Sequence, residues 1–111
     1  MGETINFDDF SKVDLRVGTI IEVEDFSKAT NPSYKLKIDF GELGVKLSSA
    51  QITTLYKKDD LLNRQIVAVV NFPKKQIANF SSECLVLGAV SGKDVTLLNP
   101  ESKVSNGSVV S

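Results

Sequence analysis

The sequence predicts an all-β domain closed into a small barrel. Three observations lead there. A long run near the N-terminus alternates apolar and polar residues, a second such run follows across a loop, and a glycine-bearing turn joins that second run to a third. Strict alternation is the period of a strand, whose successive side chains point to opposite faces. At 111 residues with 41% hydrophobic and 24% charged side chains, the chain from 1 to 111 reads as a single globular domain with one core.

The elements follow in chain order. The arm from Ile5 to Ser11 sets Phe7 and Phe10 three residues apart around Asp8 and Asp9, a spacing that suits one helical turn clamping the end of the barrel. From Val13 to Val23, alternation directs Val13, Leu15, Val17, Ile21 and Val23 inward and Asp14, Arg16, Glu22 and Glu24 outward. Eleven residues at about 3.3 Å each exceed what a flat strand in a small domain needs, so this strand must bend. Gly18 stands where a bulge or barrel corner belongs. Asp25 to Ser33 is a loop, in which Pro32 keeps Asn31 out of helix. Tyr34, Leu36, Ile38 and Phe40 then alternate with Lys35, Lys37 and Asp39, and Val45 to Ser49 resumes the pattern after Gly41–Gly44, which predicts a hairpin. Ser48 and Ser49 offer an N-cap to a short helix over 50–56, where Ile52, Leu55 and Tyr56 recur at helical spacing. After a charged connector with a turn at Asn63, the β-branched run Ile66–Val70 suits a strand covered on both faces. Lys74 to Ser82 reads as a long loop, Glu83 to Val90 as a fifth strand, and Ser91–Asp94 as a tight turn into Val95–Leu98. A tail carrying Val109 and Val110 ends the chain.

Three strands, a short helix and two further strands form the order of a five-stranded Greek-key OB-fold barrel, here with N- and C-terminal extensions. Such barrels bind oligomeric ligands on the face of strands 2 and 3 and in the first and fourth loops.

The missing residues narrow the chemistry. The chain has no histidine and one cysteine, so no imidazole serves as base or metal ligand, no structural zinc site is expected, and no disulfide forms within the chain. Cys84 lies between acidic Glu83 and apolar Leu85, without the positive partner that a nucleophilic thiolate needs, and reads as a small packing residue. Glycine-rich phosphate loops are absent. These features predict a protein that is not an enzyme and has no cofactor. No apolar run reaches the length of a membrane span and the N-terminus has no signal-peptide pattern, so a cytoplasmic protein without membrane insertion is expected.

Several motifs carry a resemblance: Val13 to Ile20, Tyr34 to Gly41, Ser48 to Ile52, Val69 to Pro73 and Ser82 to Gly88. Together they resemble the CsaA branch of the tRNA-binding-domain family, which also forms the C-terminal appendix of some methionyl-tRNA synthetases. The likeness covers nearly the whole chain, from Phe7 to about Gly107. It implies an OB-fold homodimer that acts as a chaperone for unfolded or precursor polypeptides with the protein-export machinery. The wider family implies structure-selective tRNA binding as the alternative.

Charge and aromatic placement nominate the ligand-binding residues. The chain is balanced at 13 basic and 14 acidic side chains, but residues 1–27 hold two basic against seven acidic, and residues 28–75 hold nine basic against four acidic. Arg16, Lys35, Lys37 and Lys46 are expected on the outward rows of the first three strands. Phe72 and Pro73, with Ile77 and Phe80, are expected to form an apolar wall near Lys74 and Lys75 that suits an extended peptide. Ser48, Asn71 and Ser82, within the matching motifs, complete the candidate set. Phe7, Tyr34 and Phe40 are expected to face inward, and the excess of apolar residues after Leu97 predicts a homodimer.

Overall fold

A computed structural model describes residues 2–111. It is mostly β and nearly closed into a barrel, an OB-fold-like domain as the sequence predicts. The strands are β1 (Leu15–Asp25), β2 (Tyr34–Asp39), β3 (Val45–Ala50), β4 (Gln65–Val69), β5 (Lys75–Ile77), β6 (Phe80–Ser82), β7 (Leu85–Val86), β8 (Gly88–Ser91), β9 (Asp94–Leu97) and β10 (Val109–Val110), with helices α1 (Phe7–Ser11) and α2 (Lys58–Leu61). The main sheet runs β3-β2-β1-β4-β7, and β10 adds to β1.

β1 bends because it serves two neighbours. Its first part pairs with β4, Leu15 opposite Val69 through Thr19 opposite Gln65, and its second part pairs with β2 as far as Asp25 opposite Tyr34. The register shifts between Ile20 and Glu22, so the bulge is at Ile21 and not at Gly18. An extra residue inverts the alternation around it. Ile20 is therefore fully buried, while Ile21, expected inward, is 42% exposed, as is Val13 at 40%. Gly18 has another purpose: a Cβ there would meet Ile38 Cγ2 and Phe40 Cε1 at 2.7 Å, and its absence leaves room for these two core side chains against β1.

The core holds Ile20, Tyr34, Leu36, Ile38, Phe40, Ile52, Leu61, Ile66 and Ala68. Val17 and Val67, opposite each other in the ladder, are buried on the other face of β1 and β4, so the β4 run is covered on both sides as its composition predicts. The C-terminal segment reinforces β1, with Gly107 N–H donating to Val17 O at 2.7 Å and Val17 N–H to Ser108 O at 3.0 Å.

Four local expectations are corrected. The helix between strands 3 and 4 lies at 58–61, because Ser48 and Ser49 continue the β3 ladder opposite Leu36 and Lys35 instead of capping a helix. The loop over 74–82 folds into the β5–β6 hairpin, turning through Ala78 at φ 55°. The fifth strand breaks at Leu87 into β7 and β8, because Leu87 N–H bonds to Val67 O while β8 leaves to pair with β9. Helix α1, capped by Asn6 and Asp9, buries none of its residues; Phe7 is 75% exposed and packs on Phe10 with ring centroids 6.4 Å apart.

Candidate functional site

Two grooves gather the nominated residues. The first lies on the outer face of β1, β2 and β3. Cross-strand register sets Glu22 opposite Lys37 and Glu24 opposite Lys35, and the ion pairs measure 3.3 Å and 4.0 Å. Hydrogen bonding from the Glu24 carboxyl, and then the Lys37 ammonium, holds Glu22 below the usual carboxylate range. The row is thus alternately charged, where the sequence promised a basic one. Phe80 reaches across from the hairpin to meet Phe26 edge-on at 5.3 Å, and Lys35 Nζ sits 5.4 Å and 5.7 Å from the two ring centroids, within the range of cation–π attraction. Glu22, Glu24, Lys35, Lys37 and Phe80, with Leu36 and Leu47, line a groove of about 200 Å³, and Phe26 lies buried behind Phe80.

Phe26 is the residue that sequence reasoning missed. It is buried although it lies in the segment read as a loop. Its signal is parity: beyond the bulge, Glu22, Glu24 and residue 26 fall on one face.

Lys46 does not join the row. It stands opposite Ile38, whereas Leu47 stands opposite Lys37, so the side chain at 47 takes the outward place and that of Lys46 the inner-face side at the barrel rim. Arg16 is also engaged, its Nε 2.6 Å from Asp14 and its Nη1 donating to Gly107 O at 3.0 Å.

The second groove, of about 340 Å³, is lined by Phe72, Pro73, Lys75, Ser82, Cys84 and Leu85. Phe72 is 55% and Leu85 48% exposed, so an apolar partner here would remove both from water. Lys74 is held 3.5 Å from Glu83. The expected apolar wall is therefore divided: Phe72 and Pro73 belong to this groove, and Phe80 to the other.

The three polar candidates build the frame. Asn71 accepts from Asp14 N–H at 3.0 Å and donates to Lys12 O at 2.7 Å, tying the N-terminal arm to the end of β4. Ser48, almost fully buried, donates to Cys84 O at 3.0 Å. Ser82 accepts from Ser49 N–H at 3.1 Å. Glu83 closes the same seam, its N–H donating to Leu47 O at 2.7 Å and its carboxylate accepting from Leu47 N–H at 2.9 Å. Side chains thus bridge β3 to the 82–84 segment where a ladder would close a regular barrel. Burial pushes the Cys84 thiol up to about 11, so it stays protonated at neutral pH and fits the packing role read for it. Among the described residues, no group of three or more His, Cys, Asp or Glu side chains could hold a metal ion, and no helix is long and apolar enough to cross a membrane.

Residues 15–109 match the family described as putative tRNA binding domain. The chain belongs to that family. Within it, the chain is CsaA-like. The crystal structure of chaperone CsaA from Bacillus anthracis is 53% identical with a TM-score of 0.94, covering 98% of this chain and all of that one. That of the CsaA chaperone protein from Picrophilus torridus is 57% identical with a TM-score of 0.91, covering 97% of this chain and all of that one. A methionine–tRNA ligase from Pyrococcus abyssi is 41% identical over 106 residues, 96% of this chain, which spans 14% of the ligase.

Proposed function

We propose that this chain is a non-catalytic, CsaA-like chaperone that binds unfolded or precursor polypeptides in the cytoplasm as part of protein export, working as a homodimer. The observation that carries the reading is the pairing of Lys35 and Lys37 with Glu24 and Glu22 on the expected ligand face, beside a separate apolar groove at Phe72 and Leu85. A phosphate backbone is held by uncompensated cations. A polypeptide instead places apolar side chains in grooves and tolerates a face of mixed charge. Likeness to two CsaA structures over their full lengths supports the same reading.

tRNA binding is the second reading, favoured by the family that residues 15–109 match and by the methionine–tRNA ligases among the relatives. Parallel titrations with tRNA and with a reduced, carboxymethylated polypeptide separate the two. Polypeptide binding is expected to weaken roughly tenfold or more in Phe72→Ala/Leu85→Ala, since two half-buried apolar side chains no longer reach the ligand, and to tolerate salt. Lys35→Gln/Lys37→Gln, which avoids crowding four carboxylates on one face, is expected to leave it nearly unchanged. If tRNA is the ligand, those lysine changes flatten the slope of log affinity against log salt by about 0.7–0.9 for each phosphate left without its cation. Tight tRNA binding at physiological salt that the lysine variant abolishes and the groove variant leaves intact would reverse the order of the two readings.

A further inference from the structure

A third groove, of about 370 Å³, lies away from both grooves described above, where the first loop, the 51–54 turn and the β8–β9 hairpin converge. Its polar side chains are Asn31, Gln51, Thr53, Thr54 and Lys93. Among the described residues, none of the five makes a side-chain hydrogen bond or ion pair.

The hairpin adds backbone groups to this wall. Ser91 pairs with Asp94 across a two-residue turn with Gly92 at φ 61°, a positive value at the first central position that suits glycine. Leu98 N–H donates to Leu87 O at 3.3 Å. The ladder bonds therefore fall at the pairs 87–98, 89–96 and 91–94, and antiparallel pairing directs the backbone groups of the residues between them outward. Leu97 bears this out, since its N–H turns to the Tyr56 hydroxyl at 3.0 Å. Val95, two residues earlier on the same edge, faces the same side, and no backbone or side-chain partner among the described residues takes its N–H and C=O.

We propose that the outer edge of β9 at Val95 accepts an extended polypeptide segment as an added strand, held on its far side by Thr53, Thr54, Gln51 and Asn31. Free amides and hydroxyls facing a free backbone pair match the alternating donors and acceptors of an extended chain, and strand addition draws its affinity from such main-chain bonds. A nucleic acid fits less well, because the groove has no aromatic ring for stacking and one cation, Lys93, for phosphate. The inference rests on the polypeptide-binding reading and adds a second point of attachment to it, one that reads main chain where the Phe72 groove reads apolar side chains.

Amide hydrogen exchange on the whole chain, with and without saturating reduced, carboxymethylated α-lactalbumin, tests it. The Val95 N–H is expected to slow at least tenfold on binding. Val95→Pro removes that donor at an edge position, where proline is tolerated, and is expected to weaken polypeptide binding at least fivefold; Thr53→Ala/Thr54→Ala is expected to weaken it in the same direction with the hairpin backbone untouched. If the polypeptide binds, Phe72→Ala weakens it and Val95 exchanges as in the free protein, this inference falls and the function stands. If neither Phe72 nor Val95 responds because no polypeptide binds, both fall. Protection of Val95 by tRNA and not by polypeptide also overturns it.

Discussion

Gly18 is where one hydrogen atom decides the packing. With Ile38 Cγ2 and Phe40 Cε1 both 2.7 Å from the position of an added methyl, and both residues fully buried, Gly18→Ala forces a side chain of β2 and the one just after its end out of their places. Overpacking of this kind costs typically about 1–3 kcal/mol, so urea unfolding is expected to show a lower midpoint at an unchanged slope. Cys84 allows a sharper test. Its thiol is raised from an ordinary 9.0 to about 11 by burial. Between these pH values the unfolded state has released a proton that the folded state keeps, so stability falls as pH rises through that window, by at most about 1.4 kcal/mol per unit. Cys84→Ala is expected to flatten that fall when denaturation at pH 8 and pH 10.5 is compared with the parent, and to cost on the order of 1–2 kcal/mol at neutral pH. Residue-scale errors in reading the sequence have one origin. Alternation gives the facing of each side chain only relative to its neighbours, so the extra residue at Ile21 hid the inward turn of Ile20, and the choice of phase in the third strand misplaced Lys46.

At the scale of elements, the sequence was legible wherever apolar periodicity was long. β1, β2, β3 and β4 lie within a residue or two of their expected places, because each buries a continuous row. The pieces that went astray are short: a four-residue helix, two three-residue strands and a break at Leu87. None buries enough to impose a period, and each is set by a tertiary partner that local pattern does not reveal. The seam between β3 and the 82–84 segment is the clearest case, since the sequence offers Ser48 as a helix cap, Ser48 and Ser82 as ligand contacts and Glu83 as the start of a strand, and only their bonds to the opposite strand show the seam. Glu83→Ala is expected to destabilise the fold by about 1–3 kcal/mol, because Leu47 N–H loses its acceptor in a half-buried place. Glu83→Gln keeps an acceptor oxygen and is expected to restore most of that loss. Exchange of the Leu47 amide, fast in the alanine variant and slow in the glutamine variant, separates the seam from a general loosening.

For the whole molecule, the proposed homodimer accounts for apolar side chains that one chain leaves in water: Ile5, Phe7 and Val109 are each more than 60% exposed. Light scattering at micromolar concentration is expected to report twice 12.1 kDa, and Phe7→Ser/Phe10→Ser to shift the population toward single chains; a parent protein that stays single would remove the dimer from the reading. Two copies of each groove on one rigid body would gain avidity for a long chain without any new interaction. The seam has a consequence for how such a body keeps its own identity among sticky neighbours. A sheet rim with free N–H and C=O groups is a template on which other strands polymerise. Here Glu83 occupies both backbone groups of Leu47, and Ser82 takes the N–H of Ser49. At Leu47 and at the Ser49 N–H the β3 rim therefore offers nothing to a passing strand, and fibre growth finds no continuous starting edge there.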